Sequence, residues 1–296
     1  VCNSKSLSWV KLLNGVVNQP LSNLLDQIEN DWKSMEKHSS SIAILQKHAK
    51  KGRKLTILYA ALLYSAMTAF NCLPLVPIVL NIVAPLNESR PKTFVIETEY
   101  RIDFQKNYNY IMLHYWISCY VVISVFVTVD TMYAVWVQHC CALLEIVGYN
   151  LNYAIDAGID LETTTPKSDK EVEYRNLCYC IKQHKHALIF ASRIESTYST
   201  SLAYIIGVNM IIMSITGVLV SNLLECAFYA SQVVHLYFNT LPGQKLIDYS
   251  TFISEYATQM LLKLMIARSH KPCNLTAGKI YLINMENFSA VSALTF

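Results

Sequence analysis

The chain has 296 residues, 53% of them hydrophobic and 15% charged, and a formal net charge of +3. That balance is far from the composition of an average soluble domain. So small a charge, with no basic run beside aromatics outside "KHAKKGRK", argues against nucleic acid as a partner. Nine cysteines without repeated C-x-x-C spacing do not form a zinc or disulfide framework. No G-x-S-x-G, H-E-x-x-H or phosphate-loop motif is present, so neither an enzyme nor a bound cofactor or metal is expected. Val1 is not an initiator and no signal peptide follows it, so the start is expected to be internal to a longer protein.

In chain order, residues 1–54 are polar and lead into "LTILYAALLYSAMTAFNCLPLVPIVLNIVAPL", which contains no Asp, Glu, Lys, Arg or His. About 20 apolar residues cross the ~30 Å hydrocarbon layer as a helix. Five spans are expected, at 55–84, 110–148, 201–224, 226–247 and 280–296. Pro74 and Pro77 must kink the first or end its regular part. The second, at ~1.5 Å per residue, is about twice as long as a crossing needs, so its lower part is expected to stand in the cytoplasm. Residues 149–200 continue the theme: Ile181, Leu188, Ile194 and Tyr198 recur near helical spacing while His184, Lys185 and Arg193 are polar. Cytoplasmic amphipathic helices are expected there, with long solvated loops as the alternative. The last span is short and contains Glu286, so the sequence is expected to continue beyond it.

Orientation follows from the connecting segments. Residues 1–54 hold nine Lys and Arg, 86–109 four, 149–200 six and 245–279 five, which accounts for all 24. The segments on the N-terminal side thus hold 20 and the other side four, so the positive-inside rule makes the N-terminus cytoplasmic and puts the end of an odd number of spans outside. The sequon at Asn87 lies in that outer loop and is the expected glycosylation site; those at Asn274 and Asn287 fall inside or within the membrane.

The ionisable residues within the spans are His114, Asp130, His139, Glu145, Glu225, His235 and Glu286, and intramembrane charges are functional candidates. Asp130 falls near the inner interface and reads as structural. His235 is deeper and reads as a hydrogen-bonded packing histidine, with a ligand or proton-transfer role as the alternative. Cys178, Cys180, His184 and His186 cannot all share one helix face, which weakens a metal site. The aromatic pattern is more informative. Met112, Tyr115, Trp116, Cys119, Tyr120 and Ile123 make one broad face in the outer half of the second span, with Met67 and Phe70 at similar depth on the first. Ile212, Met213 and Tyr229 join them from later spans. Large rings and thioethers with few hydrogen-bond donors suit a small apolar ligand, and lipid or helix packing is the competing use.

The C-terminal segment "LLKLMIARSHKPCNLTAGKIYLINMENFSAVS" resembles the signature of insect odorant receptors, with its Arg-x-x-Lys-Pro turn, Leu-Thr-Ala-Gly-Lys step and final helix. "LSNLLDQIENDW", "VDTMYAVWVQHCCALL" and "LYFNTLPGQKLIDYS" are similar to further blocks of that family. The resemblance implies an all-α membrane protein: an inverted-topology bundle of seven spans, the third to the seventh present here, with cytoplasmic anchor helices. It implies an odorant-specific subunit of a ligand-gated, non-selective cation channel in the plasma membrane of a sensory neuron dendrite. Its partners would be a volatile odorant, membrane lipid and a shared co-receptor in a hetero-tetramer.

On this resemblance, 248–279 is an anchor segment and 280–296 a truncated pore helix carrying Phe288, Val291 and Ser292. In the turn between them, Pro272 ends the anchor helix, Thr276 can cap the next one, and Ala277 and Gly278 permit close backbone approach. Arg268, Lys271 and Lys279 keep the turn cytoplasmic. The chain departs from the family pattern after Tyr256, where about ten residues are expected, and stops before the gate, so a partial gene model that does not conduct by itself is expected. A G-protein-coupled receptor, a gustatory receptor and a non-conducting fragment are the alternatives.

Overall fold

The computed structural model describes residues 19–85, 90, 104–157, 170–219, 223–256, 273–279 and 281–294. It is built from α1 (Gln19–Met35), α2 (Ser39–Cys72), α3 (Leu75–Val83), α4 (Phe104–Ala157), α5 (Lys170–Leu219), α6 (Leu223–Tyr256) and α7 (Met285–Leu294). A two-stranded antiparallel pair, β1 (Thr276–Ala277) and β2 (Tyr281–Leu282), precedes α7. Asn87, Arg268, Lys271 and Pro272 lie outside the described residues.

The all-α membrane expectation is met. Among the described residues, Ser39–Cys72, Lys106–Asn152 and Arg175–Val218 are long and apolar enough to cross a bilayer. Helix α6 holds most of the expected fourth span and is punctuated by Gln232, His235, Asn239, Thr240 and Gln244. As the prolines require, α2 ends at Cys72 and the chain restarts as α3 from Pro74. The overlong span is a single helix, α4, of 54 residues. Residues 170–200, expected as helices leading into a span, are continuous with that span in the 50-residue α5.

The chain divides into two compact units, and the divisions fall within α2 and α4. Residues 55–131 form one. Here α2 and α4 run antiparallel, and their register is fixed by three side-chain bonds: Tyr59 to Asp130 at 2.5 Å, Tyr64 to Ser124 at 2.8 Å and Thr68 to Tyr120 at 3.0 Å. The donors follow from the hydroxyl protons. Ser124 gives its proton to the Tyr120 carbonyl and Thr68 gives its own to the Tyr64 carbonyl, so the Tyr64 phenol donates to Ser124 and the Tyr120 phenol to Thr68. Away from this seam Ile117, Val121 and Val125 are each more than half exposed. A column of exposed β-branched residues is stable against hydrocarbon rather than water.

The other unit comprises residues 1–54 and 132–296. Its core is built on Tyr133, Trp136, Cys140, Leu144, Val147 and Leu151, which recur every three or four residues along α4. Phe190, Ile194, Tyr198, Leu202 and Ile206 answer them from α5. The Trp136 indole N–H donates to the Tyr198 hydroxyl at 2.8 Å, so the largest buried side chain is also satisfied as a donor.

Candidate functional site

The residues expected to line a ligand site divide between the two units. Met67, Phe70, Met112, Tyr115, Trp116, Cys119 and Tyr120 belong to the first; Ile212, Met213 and Tyr229 belong to the second. On α4, Met112 and Tyr115 are buried together with Tyr108 and Ile111, while Trp116, Cys119 and Tyr120 are half-buried. Met67 and Phe70 are half-buried on α2. This face therefore points toward the α2 seam. Tyr120 has a structural task as well, because its phenol proton is committed to Thr68. Met213 is fully buried in the core of its unit, with Ile212 and Tyr229 half-buried.

The turn before α7 is organised differently from the sequence expectation. Thr276 does not cap a helix: it lies in β1, and its hydroxyl donates to the Glu195 carboxylate on α5 at 2.8 Å. A β-paired backbone cannot also begin a helix. The cap is Asn284, whose Oδ1 accepts the Asn287 N–H at 2.8 Å, the bond an N-cap side chain makes to the third helical residue. Gly278 adopts φ 61° and donates its N–H to the Ser199 carbonyl at 2.8 Å. A Cβ there would stand 3.1 Å from the Ala203 Cβ, so glycine is needed for both the left-handed backbone and the approach. Lys279, exposed, shares the left-handed conformation at φ 62°. Ala277 is buried. Glu195, Ser199 and Ala203, spaced by four, form the track on α5 that receives the turn.

Helix α7 docks on α6 through residues the sequence reading did not single out. The Met285 N–H donates to Gln244 Oε1 at 3.2 Å, and a Cβ on Gly243 would meet the Ile283 carbonyl oxygen at 2.3 Å. The Leu-Pro-Gly-Gln block carried this signal as a glycine beside a proline inside a helix. Val291 is buried in the core and Phe288 packs edge-on to Tyr237 at 5.8 Å, while Ser292 is half-buried. The exposed side of α7 carries Glu286, Ser289, Ala290 and Ala293.

Two buried polar junctions tie the helices of the second unit. Asp31 of α1 accepts from His139 of α4 at 3.0 Å and from His186 of α5 at 2.8 Å. Burial would raise the Asp31 pKa, but the two histidines more than compensate and hold it below the ordinary carboxylate value. The hydrogen bond to Asp31 in turn raises His186. At the other junction, His48 Nε2 meets Glu145 at 2.6 Å, Nδ1 meets the Gln138 amide at 2.5 Å, and the ring stacks edge-on against Tyr249. Burial lowers the His48 pKa, consistent with a neutral ring that accepts from Gln138 and donates to Glu145. A cleft of about 610 Å³ borders Asp26, Asp31, His186 and Arg193; its polar lining does not suit a volatile apolar molecule. His235 bonds the Asn209 and Asn239 amides at 3.1 and 3.2 Å, linking α5 to α6. Among the described residues no group of three or more His, Cys, Asp or Glu is arranged to hold a metal ion.

The sequence profile of the 7tm odorant receptor family matches residues 18–247. The chain belongs to this family. No curated protein sequence matches the receptor significantly. Among solved structures it is similar to the insect olfactory receptor OR5 from Machilis hrabei in complex with eugenol, at a TM-score of 0.71 and 12% identity over 94% of this chain and 72% of that one. The structure of OR5 described without eugenol gives a TM-score of 0.64 and 11% identity over the same shares. At such low identity the agreement is one of fold, and it places the receptor among all-helical, multi-pass membrane proteins.

Proposed function

We propose that the receptor is the odorant-specific subunit of a ligand-gated, non-selective cation channel, assembled with a shared co-receptor in the plasma membrane of a sensory neuron dendrite. Family membership over residues 18–247 carries this reading. The eugenol complex of a protein with the same fold supports a small volatile molecule as the ligand. The ligand lies among the outer halves of the helices, against Met67, Phe70, Met112, Tyr115, Trp116, Cys119 and Tyr120.

Gating is a population shift, so the ligand must bind the open arrangement more tightly than the closed one. Helix α7 is the pore helix. Phe288 and Val291 hold it against its own subunit, Ser292 stands at the edge, and the exposed Glu286, Ser289, Ala290 and Ala293 stripe faces the conduction path. The turn at Thr276, Ala277, Gly278 and Lys279, with Arg268, Lys271 and Pro272 before it, is cytoplasmic and fixes the base of that helix on α5. Asn87 is the outer glycosylation site.

Trp116→Ala tests the pocket. Losing a ring of this size costs ligand binding on the order of 2 kcal/mol, a shift of about thirtyfold in the odorant dose–response. Co-precipitation with the co-receptor is expected to stay unchanged. Identical dose–response curves for Trp116→Ala and wild type would remove α4 from the ligand site.

A further inference from the structure

Within the unit of residues 55–131, a buried amide has no structural explanation. Asn71 is 3% exposed, yet neither its Nδ2 nor its Oδ1 has a hydrogen-bond partner among the described residues. The buried indole Nε1 of Trp116 also lacks one. The α2–α4 register brings these two to the same level. Tyr64 pairs with Ser124 and Thr68 with Tyr120, so the next turn along the seam sets Asn71 beside Trp116. Tyr64, Thr68 and Asn71 follow i, i+4, i+7 spacing, and Ser124, Tyr120 and Trp116 descend by four, so both residues lie on the faces that meet. An unsatisfied buried amide costs about 1–3 kcal/mol, and a leucine of similar size would avoid that cost.

We propose that Asn71 and Trp116 form the polar end of the odorant site and select a volatile alcohol or phenol over a hydrocarbon. A hydroxyl oxygen accepts from the Trp116 indole N–H and the Asn71 Nδ2–H, and its proton goes to Asn71 Oδ1. One hydroxyl thereby satisfies all three of these atoms. An ether or carbonyl oxygen can accept but leaves Oδ1 unpaired, and a hydrocarbon leaves all of them unpaired. The neighbouring Tyr120 phenol does not compete as a donor, because its proton is held by Thr68. Unpaired buried polar groups discriminate more sharply than a missing methylene does. This inference rests on the odorant-receptor reading and adds the chemical class of the ligand.

The test uses the receptor expressed with its co-receptor and a panel of six- to ten-carbon alcohols and phenols, their methyl ethers and their parent hydrocarbons, read as evoked current. Alcohols and phenols are expected to act at concentrations on the order of tenfold below those of the ethers. Asn71→Leu should remove that advantage, weaken ethers less than alcohols, leave hydrocarbons within about twofold, and leave surface abundance equal or higher, since it deletes an unsatisfied buried group. Trp116→Phe, which keeps a ring but not the N–H, should weaken alcohols and ethers alike and spare hydrocarbons. Equal loss across all three classes, or loss of the Asn71→Leu receptor from the surface, would make the pair structural and overturn the inference. A wild-type receptor silent to every class would instead sink the odorant-receptor reading on which it rests.

Discussion

Gly243→Ala is expected to abolish odour-evoked current and to lower the melting temperature of the purified receptor. In a helix interior alanine is intrinsically better than glycine by about 1 kcal/mol, so without a tertiary contact the substitution would stabilise. Here the new methyl would stand 2.3 Å from the Ile283 carbonyl oxygen and 3.0 Å from its Cγ2. A carbon cannot approach a carbonyl oxygen that closely, and the oxygen cannot easily retreat. The Ile283 N–H is bound to the Leu275 carbonyl at 2.8 Å, and the next residue, Asn284, is the cap of α7. Separating α6 from this connection would break the Met285 to Gln244 bond as well. Overpacking of this kind costs about 1–3 kcal/mol before the lost hydrogen bond is added. Thermal denaturation in detergent gives the sign directly: a Gly243→Ala receptor as stable as wild type, or more so, would show that α7 does not dock here.

Asp31→Asn is expected to destabilise the receptor by about 1–2 kcal/mol near pH 6, with the difference shrinking as pH rises. The lower end of that range is appropriate because the His186 side chain is 42% exposed and water screens its share of the interaction. The sign follows from linkage. Asp31 is held below its ordinary value of 3.8, so its contribution is present above that value and is lost as pH falls through the folded one. His186 is raised above 6.5, so its contribution is complete below that value and is lost as pH rises through the folded one. The junction is thus strongest between about pH 4 and 6.5. Melting temperatures of the two proteins from pH 5 to 9 should converge toward the alkaline end; a gap that widens there would reverse the assignment.

These two sites show where the sequence was legible. The apolar windows and the excess length of α4 are one-dimensional features, written in composition and spacing, so span and overlength could be read without coordinates. The broad aromatic face on α4 was legible for the same reason, because helical periodicity alone places Met112, Tyr115, Trp116 and Tyr120 together. The Asp31, His139 and His186 junction was not, since the carboxylate meets histidines 108 and 155 residues further along the chain, on two other helices. Thr276 misled because threonine is a good cap and a good β residue alike, and the choice is made by Glu195 across the turn. Gly243 and Asn284 carried a local signal, a glycine beside a proline and an asparagine three residues before another, but the close approach that gives them meaning is tertiary. Asn71 looked like one polar residue in an apolar run; only burial without a partner distinguishes it.

The most direct test of the central claim is whole-cell current in cells expressing the receptor with its co-receptor, during odorant pulses, with the pipette solution containing a non-hydrolysable GDP analogue. A channel subunit predicts a cation current that reverses near zero membrane potential, needs both subunits and is unaffected by the analogue. A response that the analogue abolishes, or that persists without the co-receptor and carries no current of its own, would contradict the account and return the chain to a G-protein-coupled mechanism.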